Sequence, residues 1–294
     1  MQSKTALSNS SKLPTLNASP DWINFDGQLL RSGASLFTTT NRSFRYGDGL
    51  FETMMVRDGR LCLGSYHFDR LFSGMQLLQL AVPATFDRET LEPQILALCQ
   101  KNGNPPHSRV RMVVYRDEGA ASSPISPIPH YIIESWPLPV ELALNDKGLV
   151  IDVFPDGRKA CDALANLKSN NYLLYTLATL YAQKHALDDC LVLNSRDRLA
   201  DSTIANLFYV SKGQFFTPSL SEGCVAGVMR RHLLENMPRA GFPVQEKIVT
   251  PEDLLNADEV FLTNAIKGIR WVGAFRTIKY NNQLTANVYQ QLIA

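Results

Sequence analysis

The chain has 294 residues, of which 45% are hydrophobic and 19% are charged, and its formal net charge is +1. This ordinary globular composition leaves no concentrated basic field for nucleic acid, and no apolar run approaches the ~20 residues of a membrane-spanning helix. We therefore expect no nucleic-acid or membrane partner. The five cysteines lack Cys-x-x-Cys spacing, so we also expect no metal site and a cytoplasmic protein with reduced thiols.

The first half of the chain contains short strand and helix patterns behind a polar leader. Residues 1–20 are rich in Ser, Asn, Thr and Pro, which predicts a flexible segment. Asp26-Gly27 and Asp58-Gly59 each separate two extended segments and predict hairpins, because both turn positions favour positive φ. Apolar periodicity then predicts helices over residues 68–80 and 91–98, and alternation predicts strands over residues 110–115 and 131–136.

Two closely spaced prolines, Pro137 and Pro139, interrupt both periodicities. We therefore predict an N-terminal domain over residues 21–137 and a C-terminal domain over residues 138–294. Within the second domain the pattern predicts a strand over residues 149–154, a helix beginning at Lys168, and helices over residues 228–236 and 251–255. This irregular mixture of elements predicts an α+β fold rather than an alternating parallel sheet.

Lys168 lies where turn-rich sequence gives way to a helical pattern. A cation at a helix N-terminus is unfavourable, because the unpaired N–H groups there already carry partial positive charge. Such a position should lower the pKa of the lysine. A deprotonated lysine is a nucleophile toward carbonyls, and its usual carbonyl partner is pyridoxal phosphate (PLP). The alternative is a solvated surface lysine that begins a helix.

Five sequence motifs occur along nearly the whole chain. They are YGDGLFET (46–53) followed by HFDRL (67–71), NLKSNNYL (166–173), RLADSTIANLF (198–208, after an apolar strand and a turn), GCVAGVMR (223–230) and ADEVFLTNA (257–265). In this order and spacing they resemble the fold-type IV PLP-dependent enzymes, which include branched-chain aminotransferases, D-amino acid aminotransferases and aminodeoxychorismate lyases. The resemblance implies a small N-terminal α/β domain, a larger C-terminal α/β domain with a pseudo-barrel, PLP between them, and a homodimer.

The resemblance also assigns residues to the cofactor. Lys168 would form an imine with PLP and would then act as the general acid and base. A small residue before a helix lets backbone N–H groups approach an anion, so Gly227 would open a phosphate site. The same site would include the following residues: Val228, Met229, Thr263, Asn264 and Arg70. Taken separately, Gly227 would be interpreted as a plain helix-start glycine, and Arg70 would fit a solvated helix arginine equally well.

Asp201 departs from the family pattern, which has a glutamate five residues before the Asn-Leu-Phe that is here Asn206 to Phe208. A carboxylate near the pyridine nitrogen keeps that nitrogen protonated. Because aspartate is one methylene shorter, the backbone would lie closer to the ring, a water would intervene, or ring protonation would be weaker. Alternatively, Asp201 caps a turn.

Substrate recognition would involve Phe51 as an apolar wall and Arg116 as a partner for the substrate carboxylate, with Arg109 and Arg111 close enough to be confused with it. His67 and His130 have no metal-binding spacing, so we interpret both as structural.

The first functional hypothesis is a PLP-dependent aminotransferase, of branched-chain type, that moves an amino group between an amino acid and a 2-oxo acid. The second is an aminodeoxychorismate lyase that gives 4-aminobenzoate and pyruvate. The third, supported only by Asp201, is an inactive binding protein that keeps the fold.

Overall fold

The computed structural model describes residues 19–84, 86–104, 106–119, 124–138 and 143–294. The predicted flexible leader, apart from its last two residues, and Pro139 lie outside the described residues. No helix in the described ranges is long and apolar enough to cross a bilayer. The described part of the chain forms two sheets with their own helices.

The first sheet has six antiparallel strands in the order β2-β1-β6-β5-β3-β4. Its strands are β1 (Trp22–Phe25), β2 (Gln28–Arg31), β3 (Gly49–Arg57), β4 (Arg60–Leu61), β5 (His107–Arg116) and β6 (Pro129–Pro137). Its helices are α1 (Arg42–Tyr46), α2 (Gly64–Leu77) and α3 (Arg88–Lys101). Both predicted hairpins are confirmed, and their Asp-Gly turns have positive φ at each position, for example 48° at Asp26 and 88° at Gly27.

The core of this half lies between the sheet and helices α2 and α3. Alternate residues of β5 point into it, and Val110, Met112 and Val114 are fully buried. They contact apolar side chains of the two helices, among them Met75 and Ile95. The period of two along the strand and of 3.6 along the helices thus places one apolar face against the other.

The second sheet has nine strands in the order β12-β11-β10-β13-β14-β7-β8-β9, with β15 paired to β14. Its strands are β7 (Leu149–Lys159), β8 (Asp189–Asn194), β9 (Leu199–Ser202), β10 (Asn206–Ser211), β11 (Gln214–Pro218), β12 (Val244–Lys247), β13 (Glu259–Asn264), β14 (Gly268–Phe275) and β15 (Ile278–Lys279). The pairs β11–β12, β14–β7 and β7–β8 are parallel and the others are antiparallel. The sheet curls, so that β9 also lies against β10.

Four α-helices accompany this sheet. They are α4 (Leu173–Lys184), α5 (Val228–Asn236), α6 (Pro251–Leu255) and α7 (Gln283–Leu292), with 3₁₀ turns at Leu220–Glu222 and Pro238–Ala240. Helices α5 and α7 cover one apolar cluster, and α4 covers another beside β8. The predicted two-domain α+β fold is confirmed. The change from one sheet to the other falls between Pro137 and Leu149, while the exact domain limits remain a prediction.

One local prediction was wrong, because helix α4 begins at Leu173 and not at Lys168. The segment around Lys168 is extended and lies along β3. The Lys168 carbonyl accepts a hydrogen bond from the Phe51 amide at 2.9 Å, and the Asn170 amide donates to the Gly49 carbonyl at 3.0 Å. This pairing satisfies the backbone groups that a helix would otherwise satisfy.

Candidate active site

A cavity of about 760 Å³ lies between the two halves of the protein, and both contribute to its walls. Phe51, Arg70 and Arg111 come from the first half, whereas Lys168, Asp201 and the residues around Gly227 come from the second. Of the residues predicted for the site, all but Arg116 line this cavity. The folding of the chain therefore brings together side chains that are far apart in sequence.

Lys168 extends into the cavity beside Phe51, and its Nζ lies 4.3 Å from the centroid of that ring. Burial and then the nearby Arg70 guanidinium lower the pKa of Lys168, Glu52 opposes the change, and the resulting pKa is about 8. The sequence predicted a low pKa from a helix dipole, but Lys168 lies outside helix α4 and its pKa is low for another reason. Desolvation and a neighbouring cation disfavour the ammonium form.

Arg70 is held by a buried carboxylate. Its Nε donates to Glu52 Oε1 at 2.8 Å, its Nη2 donates to Glu52 Oε2, and its Nη1 donates to the Ala226 carbonyl at 3.0 Å. His67 Nδ1 lies 2.7 Å from Glu52 Oε2, and burial lowers the pKa of this imidazole. Arg70 therefore has a fixed position and presents a guanidinium charge at the cavity wall, whereas His67 lies entirely in the interior.

The N-terminus of α5 faces the same cavity. Gly227 precedes the helix, and Val228 and Met229 are its first two residues, so their amides have no partner within the helix. A Cβ atom at position 227 would lie 1.8 Å from Asn206 Oδ1, so any other residue here would displace the Asn206 side chain. A helix of nine residues that begins at a cavity wall next to an arginine can hold an anion.

Thr263 and Asn264 also line the cavity, at the end of β13. The Thr263 hydroxyl donates to the Gly268 carbonyl at 2.9 Å. The Asn264 Oδ1 accepts from the amides of Ile266 and Lys267 at 3.0 and 2.8 Å. These side chains order the turn after β13, and Lys267 in this turn is a further cation at the cavity that the sequence reasoning missed.

Asp201 is 2% exposed and lies on β9. Its Oδ2 accepts hydrogen bonds from the Val225 amide at 2.8 Å and from Lys159 Nζ at 3.1 Å, and the Tyr175 hydroxyl donates to it at 3.0 Å. These hydrogen bonds hold the Asp201 carboxylate in a fixed position in the cavity wall. The sequence reasoning missed both Lys159 and Tyr175.

The structure places Arg116 away from the cavity, contrary to the prediction that it meets the substrate. Arg116 is 7% exposed, its Nε is 3.0 Å from Asp48 Oδ2, and its Nη2 donates to the Leu78 carbonyl at 2.6 Å. Arg109 and Arg111 line the cavity instead. The guanidinium carbon of Arg111 is 4.3 Å from the centroid of the Phe51 ring. Alternation along β5 explains this, because Arg116 shares the parity of the core residues.

No group of three or more His, Cys, Asp or Glu side chains in the described ranges is arranged to hold a metal ion. Each of the two predicted structural histidines contacts a carboxylate, and His130 Nδ1 is 2.6 Å from Asp26 Oδ2. The cavity therefore combines an amine of low pKa, a helix N-terminus, a buried carboxylate and three arginines.

The sequence from residue 49 to residue 275 matches the family described as amino-transferase class IV. The chain belongs to this family. The class IV aminotransferase chain is 31% identical over 232 residues to the aminodeoxychorismate lyase of Vibrio harveyi, covering 78% of this chain and 83% of that protein. It is 25% identical over 271 residues to a putative branched-chain-amino-acid aminotransferase of Methanocaldococcus jannaschii, covering 92% and 93% of the two chains.

A crystal structure of 4-amino-4-deoxychorismate lyase from Pseudomonas aeruginosa superposes on the class IV chain with a TM-score of 0.78. The two are 31% identical, and the match covers 92% of this chain and 97% of that one. The resemblance predicted from the motifs is thereby confirmed. Class IV aminotransferases and their lyase relatives are PLP-dependent enzymes, so this chain is an enzyme of that family.

Proposed function

We propose that this protein binds PLP in the cavity and that Lys168 is its catalytic residue. The observation that carries the proposal is the position of Lys168, an amine whose pKa is about 8, in one cavity with an anion site and a buried carboxylate. When bound, PLP supplies an electron sink for the carbon that bears the substrate amino group. The aldehyde, the phosphate and the pyridine nitrogen of the cofactor would each have a partner in the cavity.

The cofactor phosphate would lie at the N-terminus of α5. The amides of Val228 and Met229, the first two residues of the helix, would donate to it, and Gly227 would leave room for its approach. Arg70 adds a positive charge that Glu52 fixes in place. Because the Thr263 hydroxyl already donates to Gly268, we assign Thr263 and Asn264 to shaping this end of the cavity.

Asp201 would accept a hydrogen bond from the pyridine nitrogen of PLP. Its carboxylate is buried, lines the cavity and is held by an amide, a lysine and a phenol. Lys168 would remove the proton from the carbon that bears the substrate amino group and deliver it to an acceptor atom. At a pKa of about 8, roughly a tenth of the amine is neutral at pH ~7 and can accept that proton, far more than for a lysine at its usual pKa.

The substrate carboxylate would bind Arg111, and Arg109 would offer a second charge. Both lie on the face of β5 that lines the cavity, where Arg111 faces Thr53 of β3 in register. A planar guanidinium suits a planar carboxylate. Phe51, whose ring centroid lies 4.3 Å from the guanidinium carbon of Arg111, would form the apolar wall next to it.

For the overall reaction we propose the elimination that converts aminodeoxychorismate to 4-aminobenzoate and pyruvate. This substrate has two carboxylates, which matches the two arginines, and the relatives that are 31% identical carry this activity in their names. Amino transfer, which the sequence placed first, is the second candidate. The Methanocaldococcus jannaschii relative and the apolar wall at Phe51 favour it, because that wall suits a branched-chain side chain.

One pair of assays separates these reactions. Purified protein is loaded with PLP, and pyruvate release from aminodeoxychorismate is compared with amino transfer from leucine to 2-oxoglutarate. We expect pyruvate release and a visible absorbance band, both absent in Lys168→Ala and retained in the exposed control Lys184→Ala. Amino transfer without pyruvate release would favour the second candidate. A colourless protein that takes up no PLP would refute the whole proposal.

We further propose a cytoplasmic homodimer in which helix α4 contributes to the interface. Leu173, Leu177 and Leu180 recur at helical spacing on α4 and are 73%, 48% and 55% exposed. An exposed apolar stripe of this kind is typical of a protein interface. The five cysteines are free thiols, which fits a reducing compartment. Sedimentation of Leu177→Lys at monomer size, against a wild-type dimer, would support the interface, whereas a wild-type monomer would refute it.

A further inference from the structure

Three ionisable side chains meet behind the wall of the cavity. Lys159 Nζ lies 2.6 Å from the Tyr175 hydroxyl oxygen and 3.1 Å from Asp201 Oδ2. The Tyr175 hydroxyl lies 3.0 Å from Asp201 Oδ2 and 3.1 Å from Oδ1. Asp201 and Tyr175 line the cavity, and Lys159 lies behind them at the end of β7.

The protons in this cluster can be assigned from its surroundings. Burial and then Asp201 raise the pKa of Tyr175 well above 10, so the phenol keeps its proton and donates it to Asp201. Lys159 donates to the phenol oxygen and to Oδ2. Oδ2 also accepts from the Val225 amide, whereas among the described residues Oδ1 accepts from Tyr175 alone. Oδ1 is therefore the oxygen with free acceptor capacity.

We infer that Lys159 is a positioning residue, which orients the Asp201 carboxylate so that Oδ1 serves the cavity and which offsets part of its negative charge. This inference rests on the proposed function, in which Asp201 faces the pyridine nitrogen of PLP. The Lys159 side chain is only 11% exposed and the Asp201 side chain is 2% exposed. Solvent therefore screens the attraction between their charges poorly. Lys159 thereby weakens the field of Asp201 at the cofactor.

The same trio of residue types occurs a second time, away from the cavity. Lys247 Nζ lies 3.0 Å from the Tyr209 hydroxyl and 3.1 Å from Asp253 Oδ1. Here the lysine side chain is 38% exposed. This second cluster provides a matched control, because removing its lysine disturbs a similar set of hydrogen bonds without changing the charge behind Asp201.

The test uses the PLP-loaded enzyme and the visible band that arises when the cofactor is bonded to Lys168. The pH midpoint at which this band changes reports the electrostatic field at Lys168, where Arg70, Glu52, Arg111 and Asp201 also act. Lys159→Met removes a positive charge and should raise the midpoint by about half a pH unit or more, which is roughly a threefold change in the ionisation constant. Lys159→Arg and Lys247→Met should leave the midpoint within ~0.2 units of wild type.

Lys159→Gln keeps a hydrogen-bond donor without the charge, and it repeats the measurement if the methionine variant does not fold. An unchanged midpoint in a neutral variant that binds PLP would overturn the role of Lys159 and leave the proposed function intact. An equal shift in Lys247→Met would also overturn it, because the effect would then not be local. A wild-type protein without the band would instead refute the proposed function itself.

Discussion

Replacing Glu52 with glutamine tests whether its buried charge stabilises the fold. Glu52 is 2% exposed, and it contacts Arg70 and His67. Burial opposes ionisation of this carboxyl, but Arg70 and then His67 outweigh burial and lower the pKa from 4.5 to about 2. Glutamine has nearly the shape of the protonated side chain, so Glu52→Gln removes the charge and one of the two oxygens that accept hydrogen bonds from Arg70.

The pKa difference sets both the size and the pH dependence of the effect. A carboxyl whose pKa is lower in the folded state stabilises the fold above its unfolded-state pKa, and this stability is lost as the pH falls toward the folded-state value. A change from 4.5 to about 2 corresponds to about 3 kcal/mol. We expect Glu52→Gln to lose about 3 kcal/mol of unfolding free energy at neutral pH. The difference in unfolding free energy between wild type and Glu52→Gln should become smaller by roughly 1 to 2 kcal/mol at pH ~3.5.

Urea unfolding followed by tryptophan fluorescence at several pH values measures this difference. The control is Glu89→Gln, an exposed residue in the first turn of α3, which should change the unfolding free energy by less than about 1 kcal/mol at any pH. A Glu52→Gln penalty that stays constant from neutral pH to pH ~3.5 would show that shape, and not charge, is responsible. A penalty below about 1 kcal/mol at neutral pH would refute the proposed stabilisation by Arg70.

Three further predictions concern the cavity. In protein without cofactor, acylation of Lys168 followed by mass spectrometry should show a pH midpoint at about 8, and a midpoint near 10.5 would contradict the lowered pKa. Arg111→Met should raise the KM for a carboxylate substrate by about tenfold or more with PLP binding retained. Arg116→Met should instead lower the unfolding free energy by about 3 kcal/mol. The reverse pattern would restore Arg116 as the substrate contact. Gly227→Ala introduces a Cβ atom 1.8 Å from the Asn206 side-chain oxygen, so the affinity for PLP should fall at least ~tenfold. The control Gly33→Ala, where nothing lies within 4 Å, should bind PLP as the wild type does. Equal affinities of the two variants would contradict the need for glycine at position 227.

The sequence was sufficient where a feature is determined locally. Asp26-Gly27 and Asp58-Gly59 set their hairpins, because positive φ at both positions is a property of the turn itself. Strand alternation could have assigned the arginines as well. Arg109 and Arg111 have one parity on β5, and Arg116 shares the other with the core residues. The prediction of Arg116 rested on its position at the strand end, whereas parity places Arg109 and Arg111 on the cavity side.

Tertiary contacts determine what the sequence could not provide. The segment at Lys168 has a helical pattern after it, but its backbone pairs with β3, which is far away in the chain. Lys159 and Tyr175 carry no motif of their own, and only the approach of β7 and α4 to Asp201 brings them together. Partners of this kind follow from packing, which no local pattern encodes.

Stability and chemistry share one charge network in this cavity. Arg70 lowers the pKa of Lys168, and Glu52 opposes that effect while it fixes the guanidinium. Glu52→Gln should therefore shift the Lys168 acylation midpoint below about 8, because the charge of Arg70 would then be uncompensated. If the midpoint stayed at 8 while the unfolding free energy fell, the carboxylate would serve the fold alone. A joint change would show that the buried pair which stabilises the N-terminal half also sets the reactivity of the lysine.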